Sequence, residues 1–217
     1  MKSRKNPRLI KLNGNMKLKE GRIAYFSLPP GPPICKMACP SCYAMKAYKF
    51  RPNVRKNYIK SYKASLKNDF VDVISQEIHK IKNKIVAIRV HDSGDFYSQE
   101  YVNKWVEIAR RFPTIKFFAY TKRMQDFDFA AMLQLPNFAL IDSLKFGILN
   151  YGAKDEIFKL AREYNAYICP ATLTHNKITC GNGCNICIDK NKGEKRGVLF
   201  IKHWNIWRWI CQRLEFS

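Results

Sequence analysis

Acidic residues are scarce in this 217-residue chain, which carries 17 Asp and Glu against 39 Lys and Arg, a net charge of +22. The shortage is local. Residues 1–67 hold 17 basic side chains and a single acid, Glu20, whereas residues 68–217 hold 22 basic and 16 acidic ones. Long apolar runs are missing as well: no stretch approaches the ~20 apolar residues of a membrane helix, so no membrane partner is expected. The N-terminus lacks the apolar segment of a secretory signal, which predicts a cytoplasmic location. Disorder is excluded by a composition that is 47% hydrophobic and 13% aromatic, enough for one core. Excess positive charge adds nothing to that core and costs self-repulsion, so it predicts a polyanionic partner, most simply nucleic acid, met through residues 1–67. Lysine-rich solvated faces are the plainer alternative.

Cysteine is abundant, with eight at positions 35, 39, 42, 169, 180, 184, 187 and 211. A disulfide framework belongs to small exported chains, so the spacing is read as metal-directed. Cys35-x3-Cys39-x2-Cys42 puts three thiols on one loop, and Cys180-x3-Cys184-x2-Cys187 repeats the pattern. The second set has a fourth candidate ligand in Cys169, before Pro170, which makes a closed four-thiolate site. The first has no fourth cysteine nearby. A 4Fe–4S cluster held by three thiolates leaves one iron open to another ligand. Two zinc sites are the alternative, with His91 or His203 completing the first. Cys211 is left as a buried thiol.

Apolar patterning divides the chain into a basic arm (1–21), one α/β metal-cluster domain (22–202) with a cysteine-rich insert (169–187), and an amphipathic C-terminal helix (203–217). Strands are predicted at 22–26, 85–90, 115–120, 138–141, 166–168 and 197–201, with helices over 53–67, from 68, from Ser98, short to Leu133, and over 153–164. Strands alternating with helices predict a mostly parallel sheet, whose ligands gather at the carboxyl ends of the strands. The polar clusters fall there in turn. They are the first cysteine loop, His91-Asp92-Ser93-Gly94-Asp95, Thr121-Lys122-Arg123, Asp142-Ser143-Leu144-Lys145 and Cys169.

Two resemblances follow from these motifs. Cys-Pro-Ser-Cys-Tyr-Ala at 39–44, Val-His-Asp-Ser-Gly-Asp-Phe at 90–96, Ala-Tyr-Thr-Lys at 119–122, Cys-Pro-Ala at 169–171 and the closing cysteine triplet resemble the phage gene product 88 family. That resemblance implies a phage protein in the host cytoplasm. The loop Cys35/Cys39/Cys42 after the first strand resembles the hallmark of radical SAM enzymes. It implies a six-stranded, mostly parallel partial (β/α)6 barrel with a cysteine-rich C-terminal metal module. It also implies a 4Fe–4S cluster on Cys35, Cys39 and Cys42 and S-adenosyl-L-methionine as cofactor, with an electron donor as a further partner. By the same resemblance Ser93, Gly94 and Asp95 contact the methionine amine, Ser143 and Lys145 contact ribose or carboxylate, and Cys169, Cys180, Cys184 and Cys187 hold an auxiliary cluster or zinc. The chain departs from that pattern in having Ser41 before the third cysteine and in lacking a Gly-x-Ile-x-Gly motif.

The expected function is radical SAM-like iron–sulfur chemistry on an anionic, nucleic-acid-linked substrate. The alternative is a zinc- or cluster-stabilised nucleic-acid-binding protein without catalysis. A third class, a phage protein that disables a host protein, uses the Trp204/Trp207 helix as an exposed apolar surface.

Overall fold

The structure is a computed structural model that describes residues 8–12, 18, 22–35, 42–143, 154–174 and 178–199. Its centre is a parallel sheet of four strands in the order β1 (Ile23–Tyr25), β2 (Ala87–Val90), β3 (Lys116–Thr121) and β4 (Phe138–Asp142). Each strand lies beside its predecessor in sequence. Right-handed crossovers that always step the same way put every connecting helix on one face. Those helices are α1 (Tyr43–Phe50), α2 (Pro52–Ser65) and α3 (Phe70–His79) between β1 and β2, α4 (Gln99–Arg111) between β2 and β3, and α5 (Ala130–Leu133) before β4. Ser98 caps α4 by accepting the Tyr101 N–H at 3.2 Å, as its place before the apolar stripe predicts.

Period-two alternation along the strands makes two unlike faces. Ala24, Ile88, Val90, Phe117, Ala119, Phe138 and Leu140 face the helices, where Phe70, Ile74, Tyr101, Trp105 and Ile108 cover them. Ile23, Tyr25, Ala87, Phe118, Ala139 and Ile141 face the other way, and Leu18, Cys169, Ala171, Cys187 and Val198 cover them. The cysteine-rich segment is therefore a lid on the sheet face opposite the connecting helices. Within residues 1–21, Leu9 and Ile10 are buried in the helix-side core. Glu77 takes both of their backbone N–H groups at 2.8 Å, and Lys11 pairs antiparallel with Tyr25.

All six predicted strands occur at their predicted places, but the six-stranded barrel does not form. β5 (Tyr167–Ile168) and β8 (Val198–Leu199) make their own two-stranded parallel sheet, and β6 (Thr179–Cys180) pairs with β7 (Gly183–Cys184). The physical reason lies at the open edge of β4. A π-helical turn, Lys190–Glu194, docks there. The Glu194 carboxylate accepts the Leu140 N–H at 2.9 Å, and Lys190 donates to the Phe138 carbonyl at 3.0 Å. Groups that a fifth strand would pair are thus taken by side chains. Gly193 permits the approach, since a Cβ there would lie 2.7 Å from the Ile186 carbonyl oxygen.

The helices α2, α3 and α4, with α6 (Lys154–Glu163), match the predicted spans to within a few residues, and α7 (Pro170–Leu173) follows Cys169. No helix among the described residues is long and apolar enough to cross a membrane. The 203–217 helix lies outside the described residues, as do Cys39, Lys145, Cys211, His203, Trp204 and Trp207.

Candidate functional site at the carboxyl ends of the strands

Past the end of β1 the chain keeps pairing with the loop that follows β2. Phe26 N–H donates to Arg89 at 3.0 Å, Asp92 N–H to Phe26 at 2.9 Å, and Leu28 N–H to Ser93 at 2.8 Å. This ladder ties the start of the first cysteine loop to residues 91–95. Gly94 lies in the left-handed region at φ +86°, and a Cβ there would stand 2.6 Å from the Leu28 Cβ. Glycine is therefore required where the two loops touch.

Asp95 is buried, and the protein occupies its carboxylate. Oδ1 accepts from the Thr121 hydroxyl at 2.7 Å and the Phe96 N–H at 2.8 Å, and Oδ2 accepts from the Lys122 N–H at 3.0 Å. Burial raises its pKa to about 6, against the opposing pull of these bonds. The Ser-Gly-Asp and Tyr-Thr-Lys motifs thus join into one unit. His91 adopts a left-handed φ of +64°, uncommon without glycine. Its Nε2 shares a 3.0 Å hydrogen bond with the Tyr101 hydroxyl, its ring packs edge-on to Phe96, and burial lowers its pKa to about 3. The imidazole therefore belongs to the helix-side core.

The other members converge less tightly. Ser27 and Ser93 are buried beside the Tyr58 hydroxyl, yet neither Oγ has a hydrogen-bond partner in good geometry. Ser143 follows β4 and donates its N–H to the Thr121 carbonyl at 2.8 Å. Cys35 and Cys42 are half-buried thiols on either side of residues 36–41.

On the sheet face opposite the connecting helices, a chain of polar contacts reaches the second cysteine set. Asp92 pairs with Arg89 at 3.1 Å. The Arg89 guanidinium lies 5.5 Å from the centre of the Tyr120 ring, and the Tyr120 hydroxyl donates to Cys187 Sγ at 2.6 Å. Cys187 is buried, and its thiol is pushed far up, first by burial and then by the nearby Cys180, Cys169 and Cys184, despite the Tyr120 bond. Cys169, Cys180 and Cys187 pack together in the same apolar cluster, while Cys180 faces Cys184 across β6 and β7.

The metal module expected there has no support among the described residues. Among the described residues no group of three or more His, Cys, Asp or Glu is placed to hold a metal ion. Cys187 is instead bonded to the Tyr120 hydroxyl. Arg89, Tyr120, Tyr58 and Ser27 escaped the sequence reading. Arg89 left a signal as a lone charge inside the apolar run 85–90, and Tyr120 as part of the Ala-Tyr-Thr-Lys motif.

A family model described as Gene product 88 matches residues 1–147. The Gene 88 protein of Mycobacterium phage L5 is 28% identical over 203 residues, covering 81% of this chain and 82% of the relative. The Gene 88 protein of Mycobacterium phage D29 is 29% identical over 106 residues, covering 45% of this chain and less than half, 43%, of that relative. No solved structure matches. With two-thirds of its length matched by the family model and phage proteins as relatives, the chain belongs to the Gene product 88 family.

Proposed function

We propose that this protein is an iron–sulfur enzyme of radical SAM type acting on an anionic, nucleic-acid-linked substrate. The observation that carries the reading is the placement of the first cysteine loop. Its described first residue, Cys35, follows β1 of a sheet wound β1-β2-β3-β4, on the chain that leaves the carboxyl edge where such sheets bind ligands. In this reading Cys35, Cys39 and Cys42 hold an open 4Fe–4S cluster, with S-adenosyl-L-methionine beside Ser93, Gly94, Ser143 and Lys145. When bound there, such a cluster would supply one electron, drawn from an external donor, for reductive cleavage of S-adenosyl-L-methionine. Asp95 acts as a positioning residue, locking the 91–95 loop onto Thr121 and Lys122. Cys169, Cys180, Cys184 and Cys187 are the right donors in kind and neighbourhood for a second thiolate centre, cluster or zinc.

One observation favours a second reading, a metal-stabilised nucleic-acid-binding protein without catalysis. The Asp95 carboxylate, the acceptor expected for the methionine amine, is already engaged by three donors of the protein.

Anaerobically reconstituted protein is expected to bind about seven to eight irons per chain with thiolate-to-iron charge-transfer absorbance. Stoichiometric zinc without iron defeats the enzyme reading. With iron present, dithionite and S-adenosyl-L-methionine should release 5′-deoxyadenosine. Its absence under several reductants moves the assignment to the second reading.

A further inference from the structure

The sequence between Glu20 and Asp69 contains ten basic residues and no acid, and the fold concentrates six of them on one helix and its flanks. α2 turns Tyr58, Ser61 and Ser65 inward. Arg51, Arg55, Lys56, Lys63 and Lys67 are exposed, with Lys60 half-buried between them. Arg51–Arg55, Lys56–Lys60 and Lys63–Lys67 are like charges four residues apart, an arrangement that destabilises a helix. The first turn of α2 has no acid to favour the helix dipole. Such a helix is held by its buried face, and its outer face gains most from an anionic partner.

We infer that the outward ridge of α2 is a docking surface for a nucleic-acid backbone. This deepens the proposed function, on whose nucleic-acid-linked substrate it rests. Four-residue steps advance about 6 Å along the ridge, against one phosphate per ~3.4 Å of each strand, so every cation can meet its own phosphate. Phe50, 70% exposed at the start of the ridge, offers a face on which a base can stack. An anionic membrane fits less well. An interfacial helix needs a free apolar face, and the inward face of α2 is spent on the domain, while Ile59 and Leu66 stand singly among charges. On the inner side of the same helix, Tyr58 faces Ser27 and Ser93 at the strand ends. A strand lying on the ridge would be separated from the candidate site by the ~10 Å width of one helix.

The test compares two charge-matched triple variants of the full chain. R55Q/K56Q/K63Q removes three of the six cations of the ridge and its flanks. K80Q/K82Q/K84Q removes three exposed lysines at the opposite, amino end of β2. Binding of a labelled duplex and a labelled single strand is followed by anisotropy between 50 and 300 mM salt. The ridge variant should flatten the slope of log K against log salt by about 2.7 for duplex or about 2 for single strand. The control should leave the slope nearly unchanged, and R55K/K56R/K63R should restore wild-type binding. Equal losses in both triples overturn the proposal, because the effect is then net charge alone. So does a wild type without salt-dependent nucleic-acid binding, or a ridge variant impaired only toward phosphatidylserine vesicles. Iron content and 5′-deoxyadenosine release do not enter these measurements, so failure of the ridge and failure of the radical chemistry are separable.

Discussion

At the scale of single residues, Asp95 and His91 show how a buried polar side chain organises the strand ends while adding opposite pH dependence. Asp95 has a folded pKa of about 6, above its ordinary value of 3.8. The folded state therefore holds a proton that the unfolded chain has released, and the stabilisation from Asp95 falls as pH rises from about 4 to 6. His91, with a folded pKa of about 3 against 6.5, works the other way. There the unfolded chain takes up a proton first, and stability is lost as pH falls below 6.5. D95A leaves the Thr121 hydroxyl and two backbone N–H groups without their acceptor. It should cost on the order of 3 kcal/mol near pH 4 and about 2 kcal/mol less at pH 7. Urea midpoints at pH 4, 5.5 and 7 measure both numbers. In H91N, which keeps a side chain tolerant of left-handed backbone, the deficit relative to wild type should shrink toward pH 4. A deficit that grows with acid would mean that the imidazole is charged in the fold.

At the scale of elements, the turn Lys190–Glu194 decides where the sheet ends. Lys190 and Glu194 pair with each other at 2.9 Å while serving the backbone of β4. E194A removes the acceptor of the Leu140 N–H and the partner of Lys190. Both groups are half-buried, so the expected loss is about 1–2 kcal/mol, with hydrogen exchange at Leu140 accelerating more than at Ile88 in the sheet interior. Equal acceleration at both amides would show that the turn stabilises the sheet as a whole instead of guarding its edge. The same turn packs closely on the Tyr120-bonded cysteine, since a side chain at position 193 would meet the Cys187 Cα at 3.1 Å.

Over the whole molecule the dominant fact is a charge of +22, mostly carried by residues 1–67. Compacting so many like charges is unfavourable, and salt screens exposed charges over a Debye length of about 10 Å at 0.1 M. The melting temperature of the isolated protein should therefore rise between 50 and 500 mM sodium chloride. Added duplex should raise it at low salt and lose that effect at high salt. A melting temperature that falls with salt would mean that ion pairs such as Arg111 with Asp72 and Glu107 outweigh the repulsion.

The amino-acid sequence by itself determined the six predicted strand positions, the helices α2, α3, α4 and α6, the Ser98 cap and the membership of the Gene product 88 family. These rest on local periodicity and short motifs, which are properties of neighbouring residues. Tertiary structure decided what depends on distant ones. Leu9 and Ile10, two apolar residues in a basic segment, became core because β1 and Glu77 lie beside them. Asp95 became a clasp because Thr121 and Lys122 arrive 26 and 27 residues later. The sheet stopped at four strands because Glu194 reached Leu140 across 54 residues. Cysteine spacing was legible in the same local way, but the packing of those thiols was not. It depends on Tyr120 and on the sheet face opposite the connecting helices, which strand alternation predicts only as apolar.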